Sequence, residues 1–535
     1  MMIESTHNWR NLLADGATRE RLVNEILPAY LQEQRWFGAK SSKVKKYEIE
    51  IHLVYGEGEE TVHILFFEVI FETSNSDTYQ VPLAFRTERD FEEKGLIAEM
   101  KVAGKKGYLV EAFFVPAFRE SLFRQIAEGG QMDVVDGMLE FEHGAALEWK
   151  KDAPVESRLL SAEQSNTTIV YNSCYFFKVY RKLYRDLNPD YEVNRFLTEK
   201  TEFRNTPTYV GAVNWSKPGF YKITVGLMQA KVENQGDIWP HFLRQVERFF
   251  SRIEVANFDP DQLPKVPLYK PLAPIALPSP YLELFDADSI KSIQLLARRT
   301  AEMHLALFWE KTETQFRSRN YSEDYTVWLQ NRILYMLDHR ITTMESVMDE
   351  FSPKARAFAE EFLDRKVEVK NRILTFDETM LNSSRIRIHG DYHLGQVLLS
   401  DDDYVILDFE GEPEATIRDR KVKHSPLKDV AGMMRSFHYS VFATIFSEHN
   451  FKLTEAQLST AGGRYYRAIV AVFLDTYLNV AFDNGLDIGY SKEIDFLLRY
   501  HIFEKAIYEL GYELNSRPEW VIIPLKGLNQ ILNND

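Results

Sequence analysis

Ile388-His389-Gly390-Asp391-Tyr392-His393-Leu394-Gly395-Gln396-Val397-Leu398-Leu399 is followed, after a short insert, by Val405-Ile406-Leu407-Asp408-Phe409-Glu410-Gly411-Glu412-Pro413. The first stretch has the form H-x-D-x-x-x-x-(N/Q). That is the spacing of a catalytic loop in which an aspartate takes a hydroxyl proton and an amide five residues on holds a metal. The second is a short apolar strand ending in Asp-Phe-Glu, the position at which such loops keep their main Mg²⁺ ligand. The insert Ser400-Asp401-Asp402-Asp403 reads as a turn, so a hairpin would deliver both acidic stretches to one cleft. Either stretch alone is commonplace, since a lone H-x-D is usually a capped turn. Their order and spacing together point to phosphoryl transfer. The competing chemistry is a metal hydrolase built on His389 and His393. It would require further His or Cys ligands nearby, and the chain contains no HExxH.

Each part of that chemistry has candidate residues. Asp391 is the expected base, His389 its brace, Gln396 and Asp408 the metal ligands, and Glu410 a further carboxylate. Neither GxxxxGK[ST] nor GxGxxG is present to hold phosphates. Ser165-Asn166-Thr167-Thr168 instead lies in a strand-turn-strand context whose hydroxyls, amide and N–H groups can cradle phosphate oxygens, or simply form a polar hairpin. Lys178 is embedded in the apolar strand Tyr175-Phe176-Phe177-Lys178-Val179-Tyr180, where a cation costs free energy unless paired; in a kinase it holds the α- and β-phosphates. Arg181, Lys182 and Arg185 flank that strand and are expected to be solvated.

For the acceptor, a helix from about Glu493 to Leu514 places Lys505, Tyr508, Glu509 and Tyr512 on one face. Aromatic rings stack on a sugar's C–H face while charged groups bond its hydroxyls; an exposed face with an ion pair is the plainer alternative. His393, Arg435 and Tyr439 are further candidates. His304, within Met303-His304-Leu305-Ala306, reads as structural.

The chain has 535 residues and a formal net charge of −16, which argues against nucleic-acid and anionic-membrane partners. Its single cysteine, Cys174, excludes an intrachain disulfide and a Cys-based zinc site and favours a reducing cytoplasm. No stretch approaches the ~18–20 apolar residues of a membrane span, and the N-terminus lacks a signal-peptide pattern. Helical spacing from Arg19 to Gln34, alternation from Tyr47 to Val54 and a branched-aromatic run from Val62 to Phe71 predict a strand-rich N-terminal cap, 1–86. An intermediate subdomain, 87–152, follows. A small lobe, 153–228, carries strands around Thr168–Tyr171, Tyr175–Tyr180, Tyr209–Asn214 and Tyr221–Met228, with a helix starting at Asn188-Pro189. The Met228–Gln235 stretch is the expected hinge into a mostly helical large lobe, 229–535.

HGDYHLGQVL and ILDFEGEP resemble the bacterial maltokinases. So do Leu31-Gln32-Glu33-Gln34-Arg35-Trp36-Phe37-Gly38-Ala39-Lys40 and Glu163-Gln164-Ser165-Asn166-Thr167-Thr168. The likeness extends to Pro426-Leu427-Lys428-Asp429-Val430-Ala431-Gly432-Met433-Met434-Arg435-Ser436-Phe437, Glu504-Lys505-Ala506-Ile507-Tyr508-Glu509-Leu510-Gly511-Tyr512-Glu513 and Arg517-Pro518-Glu519-Trp520. The resemblance implies a bilobal α+β fold, similar to eukaryotic protein kinases and aminoglycoside phosphotransferases, with a strand-rich N-terminal cap. It implies ATP and Mg²⁺ as cofactors, Glu192 as the partner of Lys178, and maltose phosphorylated at its anomeric hydroxyl to maltose 1-phosphate for α-glucan synthesis. Trehalose synthase is the implied protein partner. Because catalytic apparatus does not encode the acceptor, kinases for glucosamine, another saccharide, an aminoglycoside or choline remain alternatives, as does a non-catalytic relative docked on trehalose synthase.

Overall fold

The expected strands Tyr47–Val54, Val62–Phe71, Thr168–Tyr171, Tyr175–Tyr180, Tyr209–Asn214 and Tyr221–Met228 join further strands in two seven-stranded sheets. In a computed structural model, residues 3–40, 42–73, 75–151, 153–160, 165–309, 313–447 and 450–533 are described. The chain divides into two compact units, Met1–Val232 and Glu233–Asp535. In the first unit, β1 (Ile3–Ser5), β2 (Val44–Tyr55), β3 (Val62–Phe71), β4 (Ser76–Arg86), β5 (Leu96–Val102) and β6 (Lys105–Glu111) make one sheet in the order β1-β5-β6-β4-β3-β2. The second sheet contains β7 (Gly130–Val134), β8 (Gly137–His143), β9 (Ser157–Leu159), β10 (Thr167–Tyr171) and β11 (Tyr175–Val179). After the short β12 (Lys182–Leu183), β13 (Tyr209–Ser216) and β14 (Ile223–Ala230) complete it, in the order β7-β8-β13-β14-β11-β10-β9. The stretch expected as an intermediate subdomain gives β5 and β6 to one sheet and β7 and β8 to the other.

β3 reads as near-continuous apolar sequence because it is covered on both faces. Ile64 and Phe66 enter a core shared with Phe118, Leu122 and Phe123 of α1 (Pro116–Glu128), while Leu65, Phe67 and Val69 enter one shared with Leu27 and Leu31 of the N-terminal helices. α2 (Pro189–Lys200) begins as its sequence requires: Asn188 caps it by accepting from Asp190 N at 2.9 Å, and Pro189 fills the first turn.

Arg181 corrects one expectation. It is buried, not solvated, because the chain passes here from β11 in the second sheet to β12, which pairs with β4 in the first. Its guanidinium pairs with the fully buried Glu111, lies over the rings of Trp36 and Phe113, and donates from Nε to Thr167 Oγ1 at 2.7 Å. Tyr30 donates its hydroxyl to the same Glu111.

The second unit is mainly helical: α3 (Trp239–Val255), α4 (Ala287–Leu307), α5 (Glu323–Val347), α6 (Leu427–Phe446), α7 (Glu455–Asp483), α8 (Ser491–Ser516) and α9 (Ile522–Asn533). Its hairpin is β15 (Val397–Ser400) and β16 (Asp403–Ile406). α6 is nearly all buried, packed by α3, α7 and α8, which accounts for its apolar sequence on every face. No helix among the described residues is long and apolar enough to cross a membrane.

Removing one member of a buried ion pair strands the other charge, at about 3–5 kcal/mol. Arg181→Met is therefore expected to destabilise the first unit by about that amount in chemical denaturation. The double change with Glu111→Gln should cost less than the two single changes summed, and strict additivity would show that the pair does not interact.

Candidate active site

The hairpin brings the two sequence stretches together. Residues Val397 to Ser400 pair antiparallel with Asp403 to Ile406, the turn being made by Asp401 at φ 51°. One step beyond the paired strands, Leu407 N donates to Gln396 O at 2.9 Å, and Gln396 Nε2 donates to Asp408 Oδ2 at 3.3 Å. Asp408 adopts φ 64°, a left-handed conformation of the kind that costs ~1–3 kcal/mol and persists where surrounding contacts hold it. The bend turns its carboxylate back toward Gln396.

The loop before the hairpin is fixed from three sides. His389 Nε2–H donates to Leu407 O at 2.7 Å, and its ring lies 4.9 Å from that of Phe409, so its side chain contacts both stretches. Gly390 has φ 87°, and a Cβ there would come 3.1 Å from Gly411 Cα; only glycine lets the two loops pass. The buried Asp429, in the first turn of α6, accepts from His389 N at 2.8 Å and Gly390 N at 2.9 Å. His304 of α4 stands 3.1 Å from Asp429 and 2.9 Å from Tyr477 Oη, the structural placement expected for it. Burial pushes the Asp429 carboxyl up, but the His304 bond and charge and the Gly390 N–H outweigh it and hold it below the usual range. Sequence reading gave Asp429 no role; its signal was an acid in an otherwise apolar helix start.

Asp391 emerges beside Lys505 of α8, whose Nζ donates to Asp391 Oδ1 at 2.9 Å. His393 Nε2 lies 4.0 Å from the other oxygen. Burial drives the Asp391 carboxyl upward, yet the charges of Lys505 and His393 and the Lys505 bond overcome it, and the group sits below the ordinary carboxylate value. Burial works against the Lys505 ammonium too, but Asp391 holds it well above its ordinary value. The pair is carboxylate and ammonium at neutral pH.

Asp391 and His393 open into a cleft of about 520 Å³ whose walls include Trp239, Tyr508, Tyr512 and Trp520. Lys505 Nζ stands 4.4 Å from the centre of the Tyr508 ring, and Arg517 lies over both Trp520 and Tyr512. Tyr439 and Glu509 line the same space. Arg435 does not: it is buried behind Glu509, donating to Glu509 Oε2 from Nε at 2.9 Å and from a terminal nitrogen at 2.6 Å. Glu513, a turn further along α8, takes Arg517 at 2.7 Å.

In the first unit, Lys178 and Thr168 are cross-strand neighbours on β11 and β10. Lys178 Nζ lies 3.3 Å from Asp190 Oδ2, which also accepts from Tyr180 Oη at 3.2 Å. Asp190 was missed by sequence reading; it sits in the first turn of α2, two residues before the expected Glu192, which is also buried. Ser165 is exposed, Asn166 and Thr167 are half-buried, and Asn166 Oδ1 accepts from Arg181 N at 3.4 Å. Glu163 and Gln164 lie outside the described residues.

Asp408, Glu410 and the Gln396 amide offer hard oxygen donors, the set that suits Mg²⁺ rather than a softer metal. Lys178 and the hydroxyls of Ser165, Thr167 and Thr168 are groups that suit phosphate oxygens.

Residues 30–114 match the family described as the maltokinase N-terminal cap domain. A glucosamine kinase of Streptacidiphilus jiangxiensis is 24% identical over 237 residues, 44% of this chain and 48% of that protein. A glucosamine kinase of Mycolicibacterium smegmatis is 29% identical over 147 residues, 27% of this chain and 34% of that protein. The chain thus aligns with about half or less of each curated relative's length. Among solved structures, a glucosamine kinase in complex with glucosamine, ADP and inorganic phosphate superposes over 99% of this chain and 100% of its own, with a TM-score of 0.60 at 17% identity. A second crystal form of glucosamine kinase gives 0.62 at 18% identity, over 98% of this chain and 100% of its own. Residues 30–114 are therefore a maltokinase-type N-terminal cap, and the chain as a whole has the α+β kinase fold of the glucosamine kinases.

Proposed function

We propose that this protein is an ATP- and Mg²⁺-dependent sugar kinase whose acceptor is maltose, phosphorylated at the anomeric hydroxyl. The observation that carries the reading is the Asp391–Lys505 pair at the mouth of an aromatic cleft, beside a loop whose carboxylates and amide suit Mg²⁺. Asp391 aligns the acceptor hydroxyl and takes its proton as the bond to phosphorus forms. A carboxylate held below its ordinary pKa is a weak base, so it accepts that proton late and acts first as an orienting group. Lys178 and the Ser165–Thr168 segment position the triphosphate, and Asp190, 3.3 Å from Lys178 Nζ, aims the lysine. Asp408, Gln396 and Glu410 hold the metal, which when bound offsets the charge of the phosphate oxygens.

A neutral disaccharide is favoured over an amino sugar by the pairing of the carboxylates nearest Asp391, although Asp237, which also lines the cleft, forms no ion pair among the described residues. Each carboxylate that α8 presents to it already has a cation: Glu509 has Arg435 and Glu513 has Arg517, while Asp391 has Lys505. An ammonium substituent would compete with these for its counter-charge. Glucosamine is the second reading, motivated by the relatives named above. A partnership with trehalose synthase, and a place in α-glucan synthesis, are proposed on the cap domain alone.

With ATP and Mg²⁺, maltose is expected to drive ADP release and to yield an anomeric phosphate by ³¹P NMR, with glucosamine a poorer acceptor. Asp391→Asn should lower the rate by about 10²–10⁴, the usual contribution of a general base. Glucosamine turning over faster than maltose would transfer the assignment to the second reading, and undiminished turnover by the variant would remove Asp391 as base.

Lys505→Met tests the pair separately. Losing the cation favours the protonated carboxyl, so the acid limb of kcat/KM should move to higher pH by about 1–3 units, the effect of one opposite charge at this range. An unmoved acid limb would mean that Lys505 does not set the Asp391 pKa.

A further inference from the structure

On the side of Arg435 away from the cleft lies a second cavity, of about 160 Å³. That is close to the ~150 Å³ of an engineered apolar cavity that takes benzene. This one is polar. Its lining includes Arg435, His438, Ser459, Tyr466, Arg467 and Lys526 but no aspartate or glutamate.

These cations lack counter-charge on the cavity side. Arg435 uses Nε and one terminal nitrogen on Glu509, and its other terminal nitrogen, Nη1, lies against Gly527, where a Cβ would come to 2.5 Å. Arg467 donates to Val266 O at 3.4 Å, and Lys526 donates to Ser459 Oγ at 3.0 Å and stands 4.5 Å from the centre of the Phe442 ring. Neither forms an ion pair among the described residues; Glu455, whose charge Lys526 feels, is paired to Lys354. His438 is 5% exposed, and its Nδ1 has no hydrogen-bond partner. Burial, with the charges of Arg435 and Lys526, keeps this imidazole well below its ordinary pKa, hence neutral with one N–H to donate. Arg467 and Lys526 are half-buried, so several donors and two cations without an ion pair converge on a cavity where an anion is favoured.

We propose that this cavity binds inorganic phosphate, held by Arg435 Nη1, Arg467, Lys526 and the His438 Nδ1–H. The volume of about 160 Å³ is matched to a free oxyanion rather than to a sugar phosphate. The site is separate from the groups assigned to the nucleotide, and its existence does not depend on the identity of the acceptor.

Calorimetric titration of the full chain with inorganic phosphate, without nucleotide and at constant ionic strength, tests this. Saturable binding is expected, with sulfate competing and glucose 1-phosphate not. Arg467→Gln/Lys526→Gln should weaken phosphate at least about tenfold. A second variant covers the case in which those changes impair folding. Gly463 lines the cavity on α7, and a Cβ there meets nothing within 4 Å. Gly463→Leu replaces the poorest ordinary helix former with a good one and fills the cavity edge, so the protein should fold at least as well yet lose phosphate binding. Three results would overturn the proposal: no binding by the native chain up to tens of millimolar, native affinity in either variant, or binding of glucose 1-phosphate as tightly as phosphate.

Discussion

The carboxylate of Asp429 is the constraint on which the catalytic loop depends. It accepts two consecutive backbone N–H groups, from His389 and Gly390, while His304 of α4, itself held by Tyr477 of α7, contacts it from the other side. A buried carboxylate is costly unless its lone pairs are filled, and here they are filled by the loop itself. Satisfying Asp429 and folding the loop are therefore one event. With the loop so held, His389 reaches Leu407 O, the left-handed turn at Asp408 is supported, and Asp391 is delivered to Lys505.

Electrostatics in the cleft follow from one helix. α8 supplies Lys505, Glu509 and Glu513 at helical spacing, so their partners differ although their faces are close. Lys505 faces Asp391, Glu509 is neutralised from behind by Arg435, and Glu513 is neutralised along the helix by Arg517. The outcome is a cleft in which Asp391, Glu509 and Glu513 are paired, Asp237 forms no ion pair among the described residues, and the aromatic groups are open. In the first unit the comparable device is Arg181, which ties Thr167 and Asn166 to Glu111 of the N-terminal sheet and to Trp36 in the turn after the helix Leu27–Glu33, so the cap residues and the segment expected to hold phosphate share one buried charge.

Local pattern made much of this legible. Two-residue alternation located β2, a branched-aromatic run located β3, the acidic turn located the β15–β16 hairpin, Asn188-Pro189 located the start of α2, and the four-residue stripe on α8 put Lys505 and Tyr508 on one cleft wall. What failed was whatever needed the partner's position. Arg181 looked solvated because periodicity cannot reveal that the chain changes sheets at that residue. Arg435 looked like a cleft ligand because a helix face specifies a direction but not whether another side chain stands in front. Asp190 and Asp429 were passed over because an acid at a helix start is ordinarily a cap or a dipole partner. The paired charges here are the signature that would have found them: an acid in an apolar context has to answer a distant cation or backbone donor.

The most direct measurement is a crystal structure of the protein with Mg²⁺, a non-hydrolysable ATP analogue and maltose. The account predicts an Asp391 carboxylate oxygen within hydrogen-bond reach, ~2.6–3.2 Å, of the anomeric hydroxyl, with Asp408 and Gln396 on the metal. A sugar bound with Asp391 touching no hydroxyl, or a metal bound away from Asp408, would contradict it.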